Sequence, residues 1–207
     1  MLKKLKNKFL LWLMDTDFYN YLLKNVIPYV RFSLYYTTLR GWKYHQGYKL
    51  LKEGDIVLTQ DKKKLTTVLI GGEFAHASLC VSKDGEFEIA EMTHTDYTKS
   101  CFFDLCKEAD KVTIIRCNDW DEAYIEKVIA KCKTFEDATY DNKFQFGVKS
   151  LYCSELVYQS DFEKRLKVSL DDIASIGRQY ISPFGLYKAE NIKIIWEAHL
   201  AKKPETI

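Results

Sequence analysis

With 207 residues, 47% hydrophobic and 14% aromatic content, and a formal net charge of +2, the chain can bury one well-filled core and is too apolar to be disordered. The small total charge conceals an asymmetry: residues 1–52 carry ten lysines and arginines against Asp15 and Asp17, which leaves the remainder net acidic. A basic start rich in aliphatic and aromatic residues favours an anionic lipid surface over nucleic acid, and no nucleic-acid motif accompanies the lysines.

Leu2, Leu5, Phe9, Trp12 and Leu13 recur at helical spacing between lysines, predicting an amphipathic helix that Pro28 interrupts or ends. Such a helix either packs on the domain or lies in a membrane interface. The apolar run Phe9 to Met14 imitates a signal peptide. It is only six residues long, however, and Asp15 ends it without a small-residue cleavage site. It is also too short to cross a bilayer. Tyr29 to Tyr48 reads as helix passing into loop. Residues 1–50 are therefore expected to form a helical extension ahead of a catalytic domain over 51–200.

The body opens at Gly54-Asp55, with Ile56 to Thr59 as a short strand, Asp61 to Lys64 as a charged turn and Leu65 to Ile70 as a helical turn ending at Gly71-Gly72. A strand over Ala77 to Val81 joins one over Glu86 to Glu91 across Lys83-Asp84-Gly85, a strong hairpin signal. Lys111 to Cys117 reads as a strand. Asp119 to Thr134 reads as a helix whose apolar stripe is Ala123, Ile125, Val128, Ile129 and Cys132. Leu151 to Phe162 is helical by pattern, Ser169 is expected to cap a helix through Asp171-Asp172, and Ile192 to Trp196 has strand character. The sum is an α+β domain, a central antiparallel sheet packed by helices. Six cysteines (80, 101, 106, 117, 132, 153) without a Cys-x-x-Cys pair, several at core positions, point to a reduced, cytoplasmic setting, with peripheral membrane contact through the basic helix as an addition.

Cys153, in Tyr152-Cys153-Ser154-Glu155-Leu156-Val157, opens a predicted helix, and His76, in Phe74-Ala75-His76-Ala77, opens a predicted strand. A helix amino terminus and a nearby imidazolium both favour the thiolate that attacks carbonyls, and the free amides of the first turn face the position where an oxyanion forms. His76 would take the thiol proton and return it to the leaving group. Glu91, on the adjacent strand, is the candidate that holds the imidazole, with His94 the alternative; Glu88, at odd spacing from Glu91, should face the other way. A metal site of His76, Cys80 and His94 has even strand spacing in its favour but lacks a fourth ligand. Asp55 reads as a turn or cap residue, and Glu155 as a complement to the helix dipole. Tyr140, Phe144, Phe146 and Tyr152 either line the cleft or simply pack. A buried, inert Cys153 and a satisfied core His76 form the competing reading.

These residues resemble the YiiX-like cysteine hydrolases, the circularly permuted branch of the NlpC and papain-like superfamily, in which the histidine strand precedes the nucleophile helix. The likeness runs over roughly residues 52 to 165. It rests on Gly54-Asp55-Ile56-Val57-Leu58, Phe74-Ala75-His76-Ala77, Ile89-Ala90-Glu91, Tyr140-Asp141 with Phe144, and Tyr152-Cys153-Ser154-Glu155-Leu156-Val157. It implies a permuted papain-like fold and an amidase or peptidase that needs no metal and no organic cofactor. Cys153 would be the nucleophile, His76 the base and Glu91 the orienting acid, acting on a peptide or acyl-amide. The related lecithin:retinol acyltransferase-like branch moves acyl groups between lipids, but this chain lacks that branch's Asn-Cys-Glu-His run. A lipid acyltransferase or thioesterase, and an inactive binding module of the same fold, are the alternatives.

Overall fold

Apolar residues without a polar face mark the centre of the molecule: all five residues of Ile56–Gln60 are buried, as are the five central residues of His76–Ser82. Strands of this kind must be covered on both sides. The computed structural model describes residues 12, 16–27, 41–62, 73–82, 85–173 and 178–199. In chain order the elements are α1 (Asp17–Asn25), α2 (Trp42–Leu50), β1 (Ile56–Gln60), β2 (His76–Ser82), β3 (Glu88–Thr93), β4 (Asp96–Cys101), α3 (Phe102–Glu108) and β5 (Lys111–Cys117). They continue with α4 (Glu122–Lys133), β6 (Thr139–Tyr140), β7 (Ser150–Leu151), α5 (Cys153–Ser160), β8 (Asp171–Ile173), β9 (Arg178–Tyr180), α6 (Pro183–Tyr187) and β10 (Ile192–His199).

Six strands form one antiparallel sheet in the order β10-β5-β1-β2-β3-β4. Alternation along each strand divides the core in two. Ile56, Leu58, Ala77, Leu79, Ala90, Met92 and Ile115 pack with residues of α4, α5 and α6. Val57, Cys80, Ile89, Val112 and Ile114 meet Phe102 and Cys106 of α3, with Tyr44 and Tyr48 of α2 packed against that cluster. The second layer is aromatic: Tyr44 stacks on Phe102 at 5.7 Å, Tyr48 meets Phe87 edge-on at 5.1 Å, and Gly47 lets α2 close on the Trp196 ring, which a Cβ would reach at 2.9 Å. The helix Trp42–Leu50 thus packs directly on the sheet. Gly54 is required twice over: its φ is +80°, and a Cβ there would lie 2.8 Å from Ile125 of α4.

The strands over Ile56, Ala77, Lys111 and Ile192 and the helices over Glu122 and Cys153 stand where the pattern predicts them, and the strand expected over Glu86 to Glu91 runs from Glu88 to Thr93. In α4, capped by Asp121 accepting from the Tyr124 amide at 2.8 Å, the buried stripe is Tyr124, Val128, Ile129 and Cys132; Ala123 is exposed, because Tyr124 has the larger apolar surface to bury. The helix expected after Ser169 is instead the short strand β8, paired with β9, and Asp171 accepts a hydrogen bond from Ser182 at the start of α6. β4 and α3 were not anticipated, since Asp96 to Cys101 is polar and lies at the sheet's edge, where little burial marks the sequence. The amphipathic run from Leu2 to Leu13, Trp12 excepted, the turn Leu65 to Ile70 and most of Tyr29 to Tyr48 lie outside the described residues. Among the described residues no helix is long and apolar enough to cross a membrane, and all six cysteines are free.

Candidate active site

Tyr152, in extended geometry (φ −98°, ψ 170°), turns the chain into α5 and makes Cys153 its first helical residue. The turn is pinned from both sides by Ile181. The Ile181 amide donates to the Tyr152 hydroxyl at 3.0 Å, and the Ser154 hydroxyl donates to the Ile181 carbonyl at 2.6 Å. Leu156 and Val157 are fully buried in the core, so α5 cannot rotate without exposing them. The thiol therefore sits at a fixed point, on a helix end whose amides have no partners within the helix.

His76 is the first residue of β2, opposite Thr59 of β1. On its other side the sheet opens: β2 pairs with β3 from Ser82–Glu88 to Leu79–Ala90, and no pair continues toward His76. In this gap the His76 Nε2 lies 2.6 Å from Oε2 of Glu91, the residue after the last paired position. Glu91 thereby occupies Nε2 and leaves Nδ1 as the other ring nitrogen, and the imidazole and the Cys153 thiol shift each other's pKa. The second oxygen of Glu91, Oε1, accepts a hydrogen bond from the Ser100 hydroxyl on β4. Cys153 and Glu91 are buried, while the His76 side chain keeps 24% of its surface exposed, so the ring is the member of the set that solvent reaches.

Burial alone would push the Cys153 thiol up, but the His76 imidazole and the amides of Ala77 and Ser154 outweigh it, and the thiol lies below its ordinary value. His76 moves the opposite way. Burial pulls it down, yet Cys153 and Glu91 raise it to about 10. Both shifts run in the direction that favours a thiolate beside an imidazolium. The hydroxyls of Tyr140, Tyr152 and Tyr180 are all raised, by burial first, with the charge at Cys153 adding to each.

The parallel pair β6–β7, which leads in the chain to Cys153, carries a cleft of about 560 Å³ between Tyr140, Asn142, Phe146, Lys149 and Asn20 of α1. Asp141 shapes this loop by accepting from the amides of Lys143, at 2.8 Å, and Gln145. Glu155 fastens it from below: Oε1 accepts from the Gly147 amide at 2.8 Å, Oε2 is buried without a partner among the described residues, and burial raises the carboxyl to about 7. Glu155 is thus a loop latch as well as a first-turn acid. Phe146 is exposed on the cleft rim, whereas Tyr152 is core and Phe144 packs on it at 5.3 Å.

The structure brings His76, Glu91 and Cys153 together and leaves His94 in the β3–β4 turn. Glu88 faces away from Glu91, toward Lys99 at 3.3 Å. Cys80 is buried in the second-face cluster, and no group of three or more His, Cys, Asp or Glu residues suited to a metal ion occurs among the described residues. Asp55 accepts from the Lys52 amide at 2.8 Å, the turn role read from Gly54-Asp55, and also binds Arg116 through both oxygens. Ser100 and Tyr180 carry no recognisable motif. The only hint at Ser100 is the even spacing of Thr98 and Ser100 in a polar stretch.

A thiol at the amino end of a helix, packed on an antiparallel sheet whose histidine strand comes earlier in the chain, defines a papain-like thiol hydrolase of permuted order. The family described as permuted papain-like amidase enzyme, YaeF/YiiX, C92 family, matches residues 50–206, and the chain belongs to it. Its fold is similar to that of metalloprotein YiiX from Escherichia coli O157:H7, with a TM-score of 0.61 and 13% identity over 72% of this chain and 98% of that one. No curated protein matches the chain.

Proposed function

We propose that the protein cleaves an amide bond of a peptide or acyl-amide through an acyl-enzyme on Cys153, with His76 as base and then acid and Glu91 as the group that orients the ring. The observation that carries this reading is His76 Nε2 held at 2.6 Å by Glu91, with the ring and the Cys153 thiol shifting each other's pKa toward the charged pair. The thiolate attacks the amide carbon, forming the C–S bond, and the oxyanion faces the free amides of the first turn of α5, that of Cys153 among them. The imidazolium gives its proton to the leaving nitrogen as the C–N bond breaks. Water, deprotonated by the same ring, then attacks the thioester and returns the sulfur. The YiiX structure from Escherichia coli is titled a metalloprotein; the described residues here supply no ligand cluster for an ion, and no step is routed through one. The test is labelling with a panel of peptide-like and lipid-like electrophilic acyl probes, read by mass spectrometry. Modification confined to Cys153, lost in His76→Ala, is expected; a panel that leaves Cys153 unlabelled would sink the proposal.

A second reading, a lipid substrate met at a membrane surface, is favoured by α1. Its Phe18 and Tyr21 are 67% and 60% exposed, and its Asn20 lines the cleft. Co-sedimentation with anionic liposomes would follow on this reading, and recovery of all the protein in the supernatant would end it.

A further inference from the structure

Glu91 is a buried carboxylate whose two oxygens have different tasks. Oε2 is spent on His76, and Oε1 accepts from Ser100. The geometry points to Ser100 as a positioning residue for the reaction, a fourth member of the line Ser100–Glu91–His76–Cys153. This assignment rests on the amidase reading above.

Three observations carry it. First, the Ser100 hydroxyl makes a single hydrogen bond among the described residues, and it goes to Glu91. Ser78 and Ser160, by contrast, donate to the backbone carbonyls of Val57 and Leu156. Second, Ser100 is rigidly held. β4 pairs with β3 without a break from Glu88–Cys101 to Thr93–Asp96, which sets Ser100 diagonal to Glu91. Immediately after Cys101, Phe102 is buried against Tyr44 and Trp196. The donor is therefore fixed in space before any substrate arrives, as preorganisation demands.

Third, the donor is neutral. Lys99, next in the strand, turns to the opposite side and meets Glu88 at 3.3 Å and Glu136 at 2.9 Å. A cation on Glu91 would compete with the imidazolium for the carboxylate's charge. A hydroxyl fixes the carboxylate's rotation and stabilises its ionised form while leaving His76 as its ionic partner. Among the described residues the hydroxyls of Tyr140, Tyr152 and Tyr180 also feel the charge at Cys153, and Asp141 acts on Tyr140 and Tyr152. None of them duplicates the contribution of Ser100 at Glu91.

Loss of the hydroxyl leaves a buried carboxylate with one donor fewer. The proton on Nε2 then moves toward Glu91, the ring carries less charge, and the thiolate loses part of its partner. In Ser100→Ala the expected result is a fall in kcat/KM of about tenfold, the worth of one charge-assisted hydrogen bond, carried by kcat with KM nearly unchanged. The pH midpoint of iodoacetamide alkylation at Cys153 should move upward, a readout that packing alone would not shift. Ser100→Thr keeps the hydroxyl and should restore both. Adding Ser100→Ala to Glu91→Gln should cost little more than Glu91→Gln alone.

An alkylation profile and kcat equal to wild type in Ser100→Ala would overturn the assignment, as would full additivity with Glu91→Gln. If Ser100→Ala folds poorly, Ser100→Cys, nearly isosteric and a weak donor, carries the same expectation. Failure of the underlying reading looks different: the wild-type thiol itself would alkylate with an ordinary cysteine profile, whatever occupies position 100.

Discussion

Asp55 and Glu91 are both buried carboxylates, and each meets a basic nitrogen at the same 2.6 Å, Arg116 Nε in one case and His76 Nε2 in the other. At Asp55 the pairing is closed. Arg116 also reaches the second oxygen at 2.8 Å and the Leu50 carbonyl at 3.2 Å, and the Lys52 amide completes the shell. A guanidinium does not give up its proton, so this pair ties the start of β1 to β5 and can do nothing else. At Glu91 the base is an imidazole with a second nitrogen left over, it sits in a gap where two strands part, and the Cys153 thiol raises it. Burial and ion pairing are common to both regions. A titratable base with one free end is what separates the chemical site from the structural one.

The comparison breaks first at its strongest point. Cys153→Ala or His76→Ala should lower turnover by about 10⁴-fold or more, while the thermal midpoint stays within a few degrees of wild type. Substantial activity in either variant would erase the distinction. Glu91→Gln keeps the shape and removes the charge. A loss of about a hundredfold in kcat/KM, with an upward move of the Cys153 alkylation profile, is expected on the scale of removing a group that orients a catalytic histidine.

Asp55→Asn should show the opposite pattern. It leaves Arg116 facing a neutral partner and should cost about 3 kcal/mol in urea unfolding, with kcat unchanged in the molecules that remain folded. A kcat defect there would mean the two regions are coupled. The pH profile sharpens the contrast further. The thiol is lowered and His76 raised to about 10, so the reactive pair forms as pH rises past the thiol's value and is lost as pH climbs through that of the ring. kcat/KM should therefore form a broad plateau across neutrality with its alkaline limb near 10; a narrow bell centred on an ordinary histidine value would contradict it.

The smallest expected effect concerns Glu155. Its folded-state value of about 7 exceeds the ordinary 4.5, so the folded protein holds a proton that the unfolded chain has released. Stability from this group is then present below 4.5 and declines as pH rises toward 7. Glu155→Gln should flatten the stability profile between those values. A slope unchanged from wild type, measured by urea melts at several pH values, would assign the decline to other groups.

Much of this was legible in the chain itself. The β-rich runs at Ile56 and Lys111, the Asp-Gly hairpin and the helical recurrence of Val128, Ile129 and Cys132 are local patterns, and each local pattern carries its own periodicity. The places of Cys153 at a helix start and of His76 at a strand start were readable because those residue types are distinctive at element ends. β4 was not readable, since an edge strand buries little and needs no apolar alternation. Ser100 was hidden with it, because a serine in a polar stretch has the same one-dimensional appearance whether it faces solvent or a carboxylate.

The sequence by itself determined the α+β class, the order in which histidine strand and thiol helix occur, and the three residue types able to make a nucleophile, a base and an orienting acid. Those properties depend on neighbours along the chain. That Nε2 of His76 meets Glu91, that β2 and β3 part just before the ring, that Asp55 is closed by Arg116 while Glu91 holds an imidazole, and that Ser100 stands behind Glu91 were decided only by the tertiary structure. Strand order and register bring together side chains that lie 15 and 61 residues apart in His76–Glu91 and Asp55–Arg116, and no local periodicity encodes a distance of that kind.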